Sequence, residues 1–260
     1  MKKTLIALVV AASAAVSGSA IAWTANGNGG TVDFGGTLTP EVEGNPWEVK
    51  IGSAVSGLDI NIQQGVDSVT IPAKENISLL GIRTRTNEAF RPQSGIIPQI
   101  DYGDSVDLRS GEWGKVVLTL PVLNSDSQKI GTLQTSMQVG GGLSIKGSDN
   151  NADGVYSLSA EKWGYAFHGG LPLRQNIGGA NNITKYFDGE VNRNFTTQGQ
   201  PETFERFKST VFNEGGASYS AFYASGIAQQ EDIRITLESP VSSNAPITWK
   251  ASMPITVSYR

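Results

Sequence analysis

Apolar residues recur at every second position along most of this chain. In "GGTVDFGGTL" (residues 29–38), Val32, Phe34, Gly36 and Leu38 fall on one face of an extended strand, and Thr31, Asp33, Gly35 and Thr37 on the other. That is the period-2 pattern of a half-buried strand. Trp47, Val49 and Ile51 alternate in "WEVKIGSAV", Leu58, Ile60 and Ile62 in "LDINIQ", and Val69 and Ile71 in "VDSVTIPA". "GKVVLTLPVLN" places Val116, Leu118, Leu120 and Val122 together, and "KIGTLQTSMQVGGG" is a further run that ends in glycines. Ile233, Ile235 and Leu237 alternate in "EDIRITLESP". The last run, "ITWKASMPITVSYR", alternates Trp249, Ala251, Met253, Ile255, Val257 and Tyr259. Short strands punctuated by Gly, Pro, Asn and Asp predict an all-β, antiparallel sandwich or barrel.

The pattern loosens from about residue 147 to 216, through "GSDNNADG", "NIGGANNITKYFDG" and "NFTTQGQ". Within it, "PETFERFKSTVFNEGG" has Pro201 and Glu202 where a helix start favours them. Phe204, Phe207, Val211 and Phe212 then follow at helical spacing, and Gly215 and Gly216 act as a stop. This predicts a surface helix inside a long insertion. Such excursions from a compact sandwich are either functional or inert elaborations.

Met1-Lys2-Lys3 and the apolar run after it, closed by Ala20-Ile21-Ala22, have the form of a signal peptide, which predicts a mature chain from Trp23. No later segment approaches the roughly 18 apolar residues of a spanning helix. The chain of 260 residues has no cysteine, so it has neither thiol nucleophiles nor thiolate metal ligands. A chain of this length can bury enough apolar surface without disulfides. Its formal charge is −4, and the leader holds two lysines and no acid, which leaves the mature chain at −6. That balance excludes a basic nucleic-acid surface.

Candidate chemistry is sparse. His168 is the single histidine, and no G-x-S-x-G elbow accompanies it. It reads as a packed or surface residue beside Phe167. "GSDNNADG" carries oxygen ligands but lacks the spacing and closing Glu of an EF-hand, so it reads as a solvated turn. The pairs Glu41/Glu43 and Glu231/Asp232 read as solvated faces. The five tryptophans could form a sugar platform or sit in the core. No catalytic residue, metal or cofactor is expected, and the chain is not expected to be an enzyme.

The two ends carry the informative signal. The last run is a strong strand that stops at Arg260, and the first lies behind a flexible "ANGNGG" with no hairpin partner. A domain lacking its final strand would leave a hydrophobic groove beside the last run. The N-terminal run of a neighbouring molecule could fill it by β-strand addition, with backbone bonds for affinity and alternate pockets for specificity. Gly36 suits close backbone approach. Val32, Phe34 and Leu38 would contribute roughly 1.5–3 kcal/mol each on burial. An open groove of this kind aggregates unless escorted.

The leader, the "GGTVDFGGTL" extension with its internal glycine, and the terminal strand with penultimate Tyr259 resemble the chaperone–usher fimbrial subunits. The "VDFGGTLTPE…WE.K.G" opening and the absence of cysteine are most similar to the K-88 type fimbriae of enterotoxigenic enterobacteria. Many members place a glycine fourteen residues from the end, where this chain has Ile247. The resemblance implies an incomplete immunoglobulin-like sandwich that lacks its final strand, with an inserted subdomain. It divides the chain into a signal peptide (1–22), a donor-strand extension (23–39) and a subunit domain (40–260) with an insertion at about 147–216. It implies polymerisation by donor-strand exchange, Val32, Phe34, Gly36 and Leu38 donating to a groove lined by Trp249, Ala251, Met253, Ile255, Val257 and Tyr259. The implied partners are neighbouring subunits, a periplasmic chaperone and an outer-membrane usher, on a route through the periplasm to a surface fimbrium that serves adhesion to host cells.

A minor subunit is the expected role, because the middle of the chain does not resemble the major adhesin. The alternatives are a major subunit that binds host glycans through its insertion, and a secreted lectin or carbohydrate-active protein with a complete sandwich. An outer-membrane barrel would need strands of about ten residues and aromatic girdles, and Pro and Gly interrupt the runs too often for that.

Overall fold

The computed structural model of the chain describes residues 7–8, 44–112, 114–173, 179–187 and 189–260. Strand β1 (Ala7–Leu8) is followed by β2 (Trp47–Ile51), β3 (Ser68–Pro72), β4 (Ile77–Thr84), β5 (Pro98–Asp101), β6 (Val106–Glu112), β7 (Lys115–Leu123), β8 (Lys129–Lys146) and β9 (Gly154–Leu158). Helix α1 (Gly179–Tyr186) precedes β10 (Phe207–Lys208), β11 (Ser218–Ile227), β12 (Asp232–Leu237) and β13 (Thr256–Tyr259). The fold is all-β with open sheets. The larger sheet runs β10-β9-β8-β11-β4-β2, with β7 and β12 also on β8, and the smaller runs β1-β13-β5.

The 18-residue β8 organises the molecule. Its first half pairs with β7 and β12, and its second half with β11 and β9. From Lys129 to Met137 burial largely alternates, because one face is wet; from Gln138 to Ile145 every residue is buried. The change marks where a second layer covers the outer face. The inner face holds the main core, in which Leu80, Ile82, Leu118, Met137, Leu143, Ile145, Tyr219 and Tyr223 are fully buried. The outer face holds a smaller cluster of Val155, Ala180, Ile183, Val191, Phe204, Phe222 and Ala224. The glycines that end the β8 run permit this second layer. A Cβ on Gly140 would lie 2.2 Å from the Gly179 carbonyl oxygen, and one on Gly142 would lie 2.4 Å from the Phe222 ring.

Val116, Leu118, Leu120 and Val122 are all buried, as their alternation predicts. Two expected elements are absent. Residues 58–62 form no strand: no described segment pairs with them, and Ile60 is exposed while Leu58 leans on the main core. The helix expected from Pro201 is also not there; the one described α-helix is α1, earlier in the same region. Phe204 and Phe212 adopt left-handed φ values of 44° and 51°, which an α-helix does not admit. The aromatics serve two different cores. Phe204 packs with Phe195 and Phe222 in the outer cluster, and Phe212 with Trp47 and Phe90 in the main one. Between them the chain runs parallel to β9, and the Arg206 and Lys208 carbonyls accept from the Ser157 and Ser159 amides. The apolar spacing was satisfied by two destinations rather than by one helical face.

Candidate functional site: the edge of the last strand

The alternation of residues 249–259 places one face on the main core. Val257 is 6% exposed, and Trp249, Ala251, Met253, Ile255 and Tyr259 are half-buried against the same core. Lys250, Ser252, Pro254 and Thr256, on the opposite face, are exposed. The face expected from the sequence is therefore the face observed.

The ladder is shorter than the run. β13 pairs antiparallel with β5 from Thr256 opposite Asp101 to Tyr259 opposite Pro98. Reciprocal bonds between Arg260 and Ile97, at 3.1 and 3.0 Å, extend it by one residue. Lys250 and Leu123 exchange a second isolated pair at 2.8 and 2.9 Å. Residues 251–255 lie between these anchors in no strand. The other edge of β13 holds Ala7 opposite Ser258 and Leu8 opposite Val257, antiparallel. A second run, residues 53–63, is likewise outside any strand and leans Leu58 on the same core. Val32, Phe34, Gly36 and Leu38 lie outside the described residues.

Tyr259 ties this edge to the start of the domain. Its hydroxyl bonds to the Asn45 side chain, and burial, the larger influence, pushes its pKa up to about 12. Asn45 also accepts from the Trp47 amide at 3.1 Å, and the buried Trp47 indole donates to the Ile96 carbonyl. Asn45, near the start of the described domain, therefore lies beside the Tyr259 end of the last strand. Sequence periodicity gave no sign of this contact.

Two concave regions flank the sheets. One, of about 550 Å³, lies between β2, β4 and the turn after α1, and includes Tyr186, Phe187 and Val191 with Asn76. Its rim carries the ion pairs Lys50–Glu190 at 2.6 Å and Arg83–Glu48. The Lys50 ammonium, through its hydrogen bond and charge, holds the Glu190 carboxyl below its ordinary range. The other, of about 700 Å³, lies beyond the Arg260 end of β13 and includes Trp163. Trp163 is 63% exposed, unlike the core tryptophan Trp47, and the Arg260 guanidinium lies 3.3 Å above its ring. His168 contributes its carbonyl to the Ile100 amide, and burial lowers its imidazole pKa. In "GSDNNADG" the Asp153 carboxylate accepts from the Ser148 amide at 2.9 Å and closes a turn.

A family model described as "Fimbrial, major and minor subunit" matches residues 1–260. The K88 fimbrial proteins AD and AC of Escherichia coli are each 32% identical to the chain over 288 residues, covering the whole of both sequences. The F41 fimbrial protein of Escherichia coli is 29% identical over 291 residues, again across both full lengths.

Proposed function

The chain belongs to the K88 family of fimbrial subunits, and on that premise we propose that it polymerises by donor-strand exchange. In this reading it is a structural subunit, not an enzyme: a periplasmic chaperone folds it, an outer-membrane usher assembles it, and it is carried to a surface fimbrium that adheres to host cells. One observation supports the reading most directly. Residues 249–259 pack an apolar face on the core, yet among the described residues 251–255 lack ladder partners and the outer edge of β13 bears two residues. A strand so placed needs a partner. The run of Val32, Phe34, Gly36 and Leu38 in a neighbouring copy has the matching period.

The geometry favours one direction of assembly. The extension leaves beside Tyr259, and an antiparallel donor, running as Ala7–Leu8 runs, arrives from the Trp249 end. Donation and acceptance then occur at opposite poles, which gives a head-to-tail contact that does not close on itself.

The test separates the two ends. Phe34→Asp puts a charge where an apolar pocket should receive the ring, so this subunit should accept a neighbour but not donate. Val257→Asp and Tyr259→Ala should lose acceptance and chaperone capture. Fibre laddering on gels and chaperone co-purification report the two properties. Continued donation by Phe34→Asp, or identical misfolding of both classes, overturns the proposal.

A second reading is favoured by the 550 Å³ cleft. Aromatic side chains beside carboxylates and an amide suit a sugar, so this chain would be a major subunit that binds host glycans through the region containing α1. Mass spectrometry of purified fimbriae, counting this chain against its neighbours, separates that role from the minor-subunit expectation. Loss of cell adhesion with intact fibres in Phe187→Ala would support glycan binding.

A further inference from the structure

We propose that the cavity beside Trp163 and Arg260 anchors the first residues, 23–28, of the neighbouring copy's donor strand, with Trp23 against the free face of Trp163. This rests on the donor-strand reading above and names a contact beyond its groove. The argument starts from direction. In the chain with its leader, Ala7 sits opposite Ser258 and Leu8 opposite Val257, so this edge admits a strand whose N-terminal side points towards Arg260, and the donor is taken to run the same way. Residues that precede the alternating run of a donor therefore pass Tyr259 and leave the groove at that end. Eight residues, "WTANGNGG", precede Thr31 in the expected mature chain, and extended they reach about 25 Å.

Across the Arg260 end of β13, on its β5 side, lies a surface unusual for a soluble protein. Trp163 is the most exposed large apolar side chain among the described residues, at 63%. One side of its ring is taken by the Arg260 guanidinium. Tyr165, Val211 and Ile97 contribute further apolar wall to the 700 Å³ cavity. A rigid exposed aromatic beside a concavity is the usual form of an interface anchor. The lining contains the cations Lys162 and Arg260 and no carboxylate side chain. The segment "WTANGNGG" carries no charged side chain, so an aromatic contact, rather than an ion pair, is the interaction it can make.

The experiment uses the mature chain carrying Phe34→Asp, which cannot extend itself, purified with its chaperone. Two synthetic donor peptides, residues 23–39 and residues 29–39, are offered in exchange. Dissociation of each complex is followed by displacement with labelled peptide. The longer peptide should leave about tenfold more slowly, which corresponds to one aromatic contact. Trp23→Ala in the peptide, or Trp163→Ala in the subunit, should each remove that advantage. Trp163→Phe should restore most of it, and the short peptide should behave alike on all three subunits. The advantage should survive 0.5 M salt. Equal dissociation of the two peptides from the parent subunit, or an advantage that salt abolishes, overturns the anchor while leaving donor-strand exchange intact. Failure of both peptides to enter overturns the donor-strand reading instead.

Discussion

The second half of β8 and the run that ends in β13 show the same alternation of apolar residues and very different completion. In β8, both edges are paired and both faces covered, by β11 and β9 within the sheet and by the main and outer clusters across it. In the last run one face is covered, and among the described residues one edge is paired by β5 over Thr256–Tyr259, the other by Ala7–Leu8 alone, while 251–255 stand outside any ladder. Burial of an apolar face and pairing of an edge are separate requirements, and a strand can satisfy the first without the second. An incompletely paired edge is where a further strand can add.

The largest effect that would sharpen this contrast is rescue by a partner strand. A donor peptide of residues 29–39 should raise the thermal midpoint of the isolated mature chain by on the order of 10 °C or more, given the apolar area it buries. Calorimetry with and without peptide checks it, and no change would make the last strand as complete as β8.

Next in size are the aromatics. Phe212, fully buried among Trp47, Phe90 and Tyr219, should cost about 3–5 kcal/mol on change to alanine. Phe207, half-buried on the two-residue β10, should cost about 1 kcal/mol. Urea midpoints of the two variants decide it. Equal losses would restore a helical face to residues 201–214.

A smaller effect is alkaline. Tyr259 has a folded pKa raised to about 12 from 10.0. Its protonated form is thus favoured by folding, and its contribution is complete below pH 10 and falls away as the pH rises through 12. Tyr259→Phe should flatten the decline of stability between pH 10 and 12, leaving the part due to the core tyrosines Tyr102, Tyr219 and Tyr223, whose pKa values burial also raises. An unchanged slope would dissociate Tyr259 from the edge it borders. The smallest effect belongs to Lys50, whose ion pair with Glu190 is exposed. Lys50→Ala should leave the thermal midpoint unmoved, because exposed pairs contribute little.

Much of the fold was legible because alternation reports which side chains share a face. Val116 to Val122 and Trp249 to Tyr259 were placed correctly by that rule alone. The rule does not report partners, so the ladder's limits around residues 251–255 could not be read from it. It also failed where pairing or conformation overrode spacing. Residues 58–62 alternate but find no partner strand among the described residues, and the left-handed Phe204 and Phe212 divided one apolar repeat between two cores. α1 was missed because only Ala180 and Ile183 of "GANNITKY" are apolar residues facing inward, too few for a periodic signal. Arg260 over Trp163 and Tyr259 against Asn45 join residues distant in sequence, and no local pattern encodes them.

The bond between Tyr259 and Asn45 also bears on how a filament would carry tension. On the proposed donor-strand reading the extension would leave at one end of the last strand and the incoming strand enter at the other, so a pull along the filament would act lengthwise on that strand. Lengthwise loading strains many backbone bonds at once instead of peeling them in turn. Rupture is then governed by the rate of a concerted event rather than by the equilibrium strength of any one contact. A surface filament in flowing liquid would owe its endurance to where its chain exits as much as to what its groove holds.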